Sequence, residues 1–378
     1  MIEAYRAKLD AIDNKIAELY RTRMELARVI GLYKANNDLQ AFDAAREKEI
    51  INRVTKEFPT ELKAYAKQLF DTLIETSKAY QSRFLKPDLD ELLENTLKSA
   101  DKPFPVSASV ACQGVEGSFS SIAAEKLFTI SDITYFKNFE SVFNAVEKGL
   151  CEYGVLPIEN STVGSVNEVY DLMKRHRFYI VRSLRLPVAH SLLAKRGTEL
   201  KDVKEIFSHE QAINQCSEYL TKLGSKVKVT VCENTAAAAR AVADSKRKDV
   251  AAIASENCCS LYSLSALARG VQNKERNYTR FICISKNPEI FERADKVSIM
   301  VSLPHESGSL NRLLNKFSVL GLNLTKLESR PLESSEFEFM FYFDFDADLR
   351  KPEVRNLIAE LSVTLPQFIF LGCYSEKM

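Results

Sequence analysis

The chain has 378 residues, enough for roughly two to three domains, and 46% apolar with 27% charged residues is an ordinary globular composition. A net charge of +1 gives no general attraction to nucleic acid or anionic membrane, and no apolar run reaches transmembrane length. The charged start MIEAYRAKLD lacks a signal-peptide apolar region, so a cytoplasmic location is expected; eight cysteines without a CxxC pair and four scattered histidines predict reduced thiols and no metal site.

Glycine divides the chain. Residues 1–105 hold only Gly31, residues 106–285 hold eight glycines and the remainder three, so the first stretch reads as helical. Tyr5, Leu9, Ile12, Ile16, Leu19, Leu26, Ile30 and Tyr33 step by four and three and predict a helix over Ile2–Asn36, about 50 Å long. Position 23 is the seam slot between Leu19 and Leu26, yet it holds Arg23. A guanidinium turned toward a helical core needs an anionic partner. A second helix is expected near Phe42–Phe58 and a third near Thr60–Leu85, opened by Pro59 with Thr60 as its cap. So long a seam calls for a second wall, which predicts an intertwined homodimer. Residues 1–90 form this module, and the charged stretch 91–105, with some helix in it, reads as a linker.

Arg23 and Lys34, eleven residues apart, share one helix face at about 16 Å separation. Asp43, Arg46 and Glu47 are spaced i, i+3, i+4 on the second helix; Ser77 and Gln81 are i, i+4 on the third. Arg6, seventeen residues before Arg23, suits a site on a neighbouring chain. No Ser–His or Cys–His pair accompanies them. Positioned positive charge with neutral donors suits a reaction limited by conformation and by charge developing on an oxygen. An inter-helix salt-bridge network is the competing reading. Residues 1–85 resemble the all-helical chorismate mutase family, with these eight residues on its active-site positions. The resemblance implies that Arg23, Arg46 and a borrowed Arg6 hold the two carboxylates of chorismate, and that Lys34 and Gln81 hydrogen-bond the breaking ether oxygen. Glu47 would contact the ring hydroxyl, Asp43 would orient the cations, and Ser77 would assist one carboxylate. The loop before Asp43 reads LQAF where the family has proline-valine.

From Val106 strands and helices alternate. Strands are expected at Ser109–Cys112, Gly154–Ile158, Tyr179–Leu184, Glu205–Ser208, Val227–Cys232, Val250–Ala254 and Arg280–Ser285. Helices are expected at Phe119–Leu127, Glu140–Glu147, Asn167–Met173, Gln211–Leu223, Ala236–Ala243 and Cys258–Ala268. Such folds bind ligands at strand ends, in a cleft between lobes. Four polar loops stand out: Gly114–Ser120, Leu156–Thr162, Ser208–Gln211 with Gln215 one turn on, and Asn277–Phe281. Over residues 106–285 they resemble prephenate dehydratase, whose threonine-arginine-phenylalanine signature is Thr279-Arg280-Phe281 here and whose PIENS run is Pro157–Ser161. The resemblance implies a two-lobed fold like periplasmic binding proteins, with no cofactor. Thr279 would donate to, or polarise, the departing ring hydroxyl of prephenate. Ser118, Asn160, Ser161, Ser208, His209, Gln211, Gln215 and Phe281 would bind substrate. Arg280 either pairs with a substrate carboxylate or holds the hinge. Glu210 stands where the family has proline.

Residues 296–378 order as βαββαβ, a ferredoxin-like unit: strand Lys296–Leu303, helix Ser309–Leu320, strands Asn323–Glu328 and Phe337–Phe345, helix Pro352–Leu361, strand Phe368–Tyr374. Gly308-Ser309-Leu310-Asn311 and Glu328-Ser329-Arg330-Pro331 resemble the phenylalanine-binding ACT domain. That resemblance implies an allosteric site for L-phenylalanine from Gly308, Ser309, Leu310, Asn323, Glu328, Ser329 and Arg330. Together the three modules predict a bifunctional chorismate mutase–prephenate dehydratase under phenylalanine feedback. Arogenate dehydration and a non-catalytic aromatic-acid sensor are the alternatives. A mutase–prephenate dehydrogenase fusion would need a dinucleotide fingerprint, which the sequence lacks.

Overall fold

The computed structural model describes residues 2–37, 39, 44–85, 88–98, 100, 102–224, 226–274, 276–332 and 339–378. The chain forms two compact units, residues 1–98 with 299–370 and residues 99–298 with 371–378. Among the described residues no helix is long and apolar enough to cross a membrane.

The first unit opens with α1 (Ile2–Asn36), α2 (Ala44–Lys56), a 3-10 turn at Thr60–Leu62, α3 (Lys63–Ser82) and α4 (Asp88–Leu97). The bounds of α1 are those its periodicity predicts. Only Ala27 and Gly31 are buried along it, and the seam residues Tyr5, Leu9, Ile12, Ile16, Leu19, Leu26, Ile30 and Tyr33 are exposed. At Gly31 α1 packs tightly against the end of α3: a Cβ there would lie 3.0 Å from Gln81 Cα and 2.9 Å from Phe84 Cδ2, just beyond that helix. Thr60 does not cap α3. It lies inside the 3-10 turn, which Pro59 opens with an extended backbone, so the helix needs no side-chain cap there. α4 straddles the expected boundary between helical module and linker, and on it Leu93 and Thr96, three apart on one face, are buried.

The second unit has two sheets. The first lobe holds β1 (Ser107–Gln113), α5 (Phe119–Leu127), β2 (Ile130–Phe136), α6 (Phe139–Glu147), β3 (Tyr153–Asn160), β4 (Gly164–Ser165), α7 (Asn167–Met173) and β5 (Tyr179–Pro187). The chain then crosses into β6 (Ser191–Lys195), β7 (Glu205–Ser208), α8 (Glu210–Gln215), α9 (Ser217–Leu223), β8 (Lys228–Val231), α10 (Thr235–Asp244), β9 (Val250–Ala254), α11 (Asn257–Leu261) and β10 (Leu264–Arg269), and returns to the first sheet as β11 (Tyr278–Ser285). The second sheet runs β10-β6-β9-β7-β8. Two crossovers, after β5 and before β11, therefore join the lobes, and Val188 N donates to Asn277 O across them.

Two expected helices differ. Gln211–Leu223 is α8 and α9, broken at Cys216, where ψ of 17° leaves the helical range. Cys258–Ala268 is α11 followed by β10: Ser263 takes φ of 53°, and Leu264–Arg269 then pairs antiparallel with β6. Leu, Ala and Arg favour helix intrinsically, so pairing with β6 overrides local propensity here.

The remaining elements are β12 (Lys296–Ser302), α12 (Ser309–Val319), β13 (Asn323–Pro331), β14 (Phe339–Asp346), α13 (Pro352–Thr364), β15 (Gln367–Tyr374) and β16 (Glu376–Lys377). The order βαββαβ is as predicted, with sheet order β13-β14-β12-β15. The unit boundary falls within β12 and β15. α12, β13, β14 and α13 belong to the first unit, and β16 pairs parallel with β5 of the second, so that the first sheet runs β16-β5-β11-β3-β1-β2. Gly372 permits this: a Cβ there would lie 2.1 Å from Ile180 O.

Candidate active sites

In the first unit, α1 and α3 bring four expected residues together. Arg23 Nη1 donates to Leu73 O and to Ser77 Oγ. Burial lowers its pKa from the ordinary value, the expected cost of turning a guanidinium inward. Lys34 Nζ donates to Gln81 Oε1 at 3.2 Å. α2 faces the same helix, and Glu47 pairs with Lys78 of α3 at 3.1 Å. Arg46 is exposed and pairs with Glu49 at 2.6 Å. Arg6 is exposed far up α1, paired with Glu3 at 2.9 Å. Asp43 lies outside the described residues. Arg23 and Lys34 thus both reach side chains of α3, Ser77 and Gln81, four residues apart on that helix. Lys78 was not a sequence candidate, since a lysine beside Ser77 reads as an exposed helix residue.

In the second unit, the ends of β3 and β11 carry a hydrogen-bonded cluster. Asn160 Nδ2 donates to Asn277 Oδ1 at 2.8 Å and to Thr279 Oγ1 at 2.9 Å. Asn160 Oδ1 accepts from Thr162 Oγ1 at 2.6 Å and from the amides of Thr162 and Val163. Both hydrogens and the oxygen of the Asn160 amide are therefore engaged within the protein. From the other lobe, Gln215 Nε2 donates to Thr162 Oγ1 at 3.2 Å, and Gln215 Oε1 accepts from Asn277 Nδ2 at 3.3 Å. His190, in the first crossover, completes the bridge with Nε2 3.0 Å from Gln215 Oε1. Because that oxygen can only accept, Nε2 carries the proton. Nδ1 is then a buried acceptor with no partner among the described residues, beside Phe119 at 5.9 Å between ring centroids. Burial lowers the His190 pKa, so the ring is neutral at neutral pH.

Thr279 accepts from Asn160 and makes no other side-chain hydrogen bond among the described residues, so its O–H remains to donate. Ser118 caps α5 next to Phe119, accepting from Ser121 N. Ser161 Oγ accepts from Tyr278 N at 3.0 Å, which pins the loop to β11. His209 caps α8, burial lowers its pKa, and Gln211 is exposed behind it.

Among the described residues Ser118, His209 and Gln211 make no hydrogen bond to this cluster, and three more expected ligands are held elsewhere. Ser208 is fully buried and donates to Ile253 O at 2.7 Å. Phe281 packs in the first lobe's core with Val155 and Leu184. Arg280, on the strand face opposite Thr279, is buried against the C-terminal strand. Its Nη2 donates to Tyr374 Oη at 2.9 Å, and Nε lies 2.8 Å from Glu376 Oε2 but off the N–H direction, an ion pair held by charge. Conversely, Asn277, Thr162 and His190 join the cluster without being among the expected residues. Asn277 had a signal, because it stands two before Thr279 on one strand face.

In the ferredoxin-like unit, Gly308 takes φ of 83° as the N-cap of α12 and Ser309 Oγ accepts from Arg312 at 2.9 Å. Leu310 is half-buried on α12. Asn323 Nδ2 donates to Asp346 at 2.9 Å, and Glu328 pairs with Lys326 at 3.5 Å; Ser329 is exposed and Arg330 half-buried on β13, an edge strand.

Residues 5–82 match the family model Chorismate mutase type II, and residues 110–289 match Prephenate dehydratase. The bifunctional chorismate mutase/prephenate dehydratase of Escherichia coli K12 is 32% identical over 382 residues, covering 99% of this chain and 96% of that protein. Arogenate dehydratase 2 of Petunia hybrida is 37% identical over 281 residues, 70% of this chain and 71% of that protein. The structure of prephenate dehydratase in complex with L-Phe from Arthrobacter aurescens is 27% identical at a TM-score of 0.65, covering 71% of this chain and 89% of that one. The mutase match falls on the helices that carry Arg23 and Lys34, the dehydratase match on the two lobes around Thr279, and the chain belongs to the bifunctional chorismate mutase/prephenate dehydratase family of phenylalanine biosynthesis.

Proposed function

We propose the following division of labour between the side chains. In the mutase site, Arg23, Arg46 and Arg6 of a second copy hold the carboxylates of chorismate. Lys34 and Gln81 stabilise the ether oxygen as its bond breaks, Glu47 accepts from the ring hydroxyl, Ser77 assists one carboxylate, and Asp43 orients the cations. The exposed apolar seam of α1 supports the homodimer, and Arg6, about 25 Å from Arg23 by helical rise, supports a borrowed residue. The test is complementation. Arg6→Ala and Arg23→Ala chains should each lose mutase activity, while a mixed dimer regains one intact site. A mixed dimer as inactive as its parents would refute the shared site.

In the dehydratase site, prephenate loses carbon dioxide, the electrons of that bond enter the ring, and the ring hydroxyl leaves as water. Aromatisation drives the step, so the protein's task is to protonate or polarise the leaving oxygen. The observation that carries the assignment is the Thr279 hydroxyl, fixed as an acceptor by Asn160 with its proton unused. Thr279→Ser should retain most activity and Thr279→Ala should lose about 10²–10⁴-fold; equal activity of both would remove Thr279 from the step. The Petunia relative favours arogenate as a second substrate, and comparing kcat/KM for the two acids decides the preference.

L-Phenylalanine acts at the α12 turn and β13, through Gly308, Ser309, Leu310, Asn323, Glu328, Ser329 and Arg330. The βαββαβ unit and the phenylalanine-bound Arthrobacter relative support this reading. Phenylalanine should inhibit phenylpyruvate formation, and Ser309→Trp should abolish that inhibition while sparing turnover.

A further inference from the structure

The carboxylate assigned to the ring hydroxyl does not stand alone. Lys78 Nζ lies 3.1 Å from Glu47 Oε1 and 3.2 Å from Oε2, so one ammonium spans both oxygens. Lys78 is 9% exposed, a burial lysine rarely adopts unless paired. On α3 it follows Ser77 directly and so points about 100° away from the Arg23 contact, toward α2. The same Nζ donates to Glu75 Oε1 at 2.8 Å. Glu75 Oε2 lies 3.6 Å from Lys316 Nζ on α12, and Lys316 pairs with Glu360 on α13. Burial alone would raise the Glu75 pKa, but Lys78, Lys316 and Arg312 together bring it below the usual value, so its charge stays available to hold Lys78.

We propose that Lys78 is a positioning residue for the mutase reaction: its buried ammonium orients the Glu47 carboxylate toward the ring hydroxyl, while Glu75 and, through it, Lys316 of α12 hold Lys78 in place. This rests on the assignment of Glu47 to the ring hydroxyl. A hydroxyl bonded alike in substrate and transition state contributes to binding more than to turnover. Loss of the ammonium therefore frees the carboxylate to rotate and weakens chorismate binding first.

The test uses the full-length chain with Lys78→Met, Lys78→Arg, Glu75→Gln, Glu47→Gln and the Lys78→Met/Glu47→Gln pair. Phenylpyruvate formation from added prephenate reports that each variant is folded. Lys78→Met should raise the KM for chorismate about tenfold with kcat within about threefold, Lys78→Arg should recover part of that loss, and Glu75→Gln should raise KM about threefold. In the Glu47→Gln background, Lys78→Met should add less than about twofold, because the group it orients is gone. Parental KM in Glu75→Gln together with parental KM in Lys78→Met overturns the proposal, as does full additivity in the double variant. Should Lys78→Met not fold, Glu75→Gln decides alone. If Glu47→Gln leaves mutase kinetics unchanged, the Glu47 assignment falls and takes the proposal with it. If Glu47→Gln impairs the mutase and the Lys78 variants do not, only the proposal falls.

Discussion

Gly31 sets how closely α3 approaches α1, and replacing it with alanine gives a quantitative test of the mutase site. The new methyl would lie 2.9 Å from Phe84 Cδ2, 3.0 Å from Gln81 Cα and 3.1 Å from Gln81 O. Carbon contacts are comfortable at about 3.5–4.0 Å, so the end of α3 must recede by about 0.5–1 Å. Phe84 can turn aside; the two Gln81 backbone atoms cannot. Gln81 Oε1 now accepts from Lys34 at 3.2 Å, and a recession of that size takes the pair out of hydrogen-bonding range. Overpacking costs about 1–3 kcal/mol, and alanine returns about 1 kcal/mol of helix propensity, so the fold should survive. Catalysis is less tolerant: misplacement by about 1 Å costs on the order of 10²-fold, and half that displacement about tenfold. Gly31→Ala should therefore lower mutase kcat/KM about tenfold, measured as chorismate disappearance, with dehydratase rates from added prephenate unchanged. Parental mutase activity would refute the claim that this packing positions Gln81.

Gln81 donates at any pH, so mutase activity should be broad across about pH 5–9; Gln81→Glu should lose activity as pH rises through the carboxyl pKa, because only the protonated acid donates. Glu376→Ala leaves Arg280 buried beside Tyr374 without its carboxylate, and breaking such a pair costs about 3 kcal/mol or more, read as a lower urea midpoint for the dehydratase unit; an unchanged midpoint would contradict the pairing. Burial holds the His190 pKa below its usual 6.5 in the folded state. Between that depressed value and 6.5 the unfolded chain binds a proton the folded one excludes, so stability is full above 6.5 and falls as pH drops through the window. His209 is shifted in the same direction, so His190→Gln should reduce the slope of urea midpoint against pH without abolishing it.

The helices were legible where period and punctuation agreed: α1 because its stripe is long and uninterrupted, α5 and α7 because turn residues bound them. β2, β6 and β10 were not, since short runs such as Leu264–Arg269 acquire strand character only by pairing across the sheet. Some candidates stood out by pattern. Arg23 breaks a stripe and turns inward to Ser77, and Thr279 sits in a signature run at the start of β11. Strand alternation puts Thr279 and Arg280 on opposite faces, but the sequence could not say what Arg280 meets, because its partner Glu376 lies far along the chain. Nor could it reveal Lys78, whose burial depends on two carboxylates from different helices.

The central claim is that two separate sites act in series, and feeding chorismate to Thr279→Ala and Arg23→Ala tests it most directly. Thr279→Ala should accumulate prephenate with no phenylpyruvate, while Arg23→Ala should leave chorismate unused yet convert added prephenate at the parental rate. Phenylpyruvate formed by Thr279→Ala, or loss of both activities in either folded variant, would contradict the account.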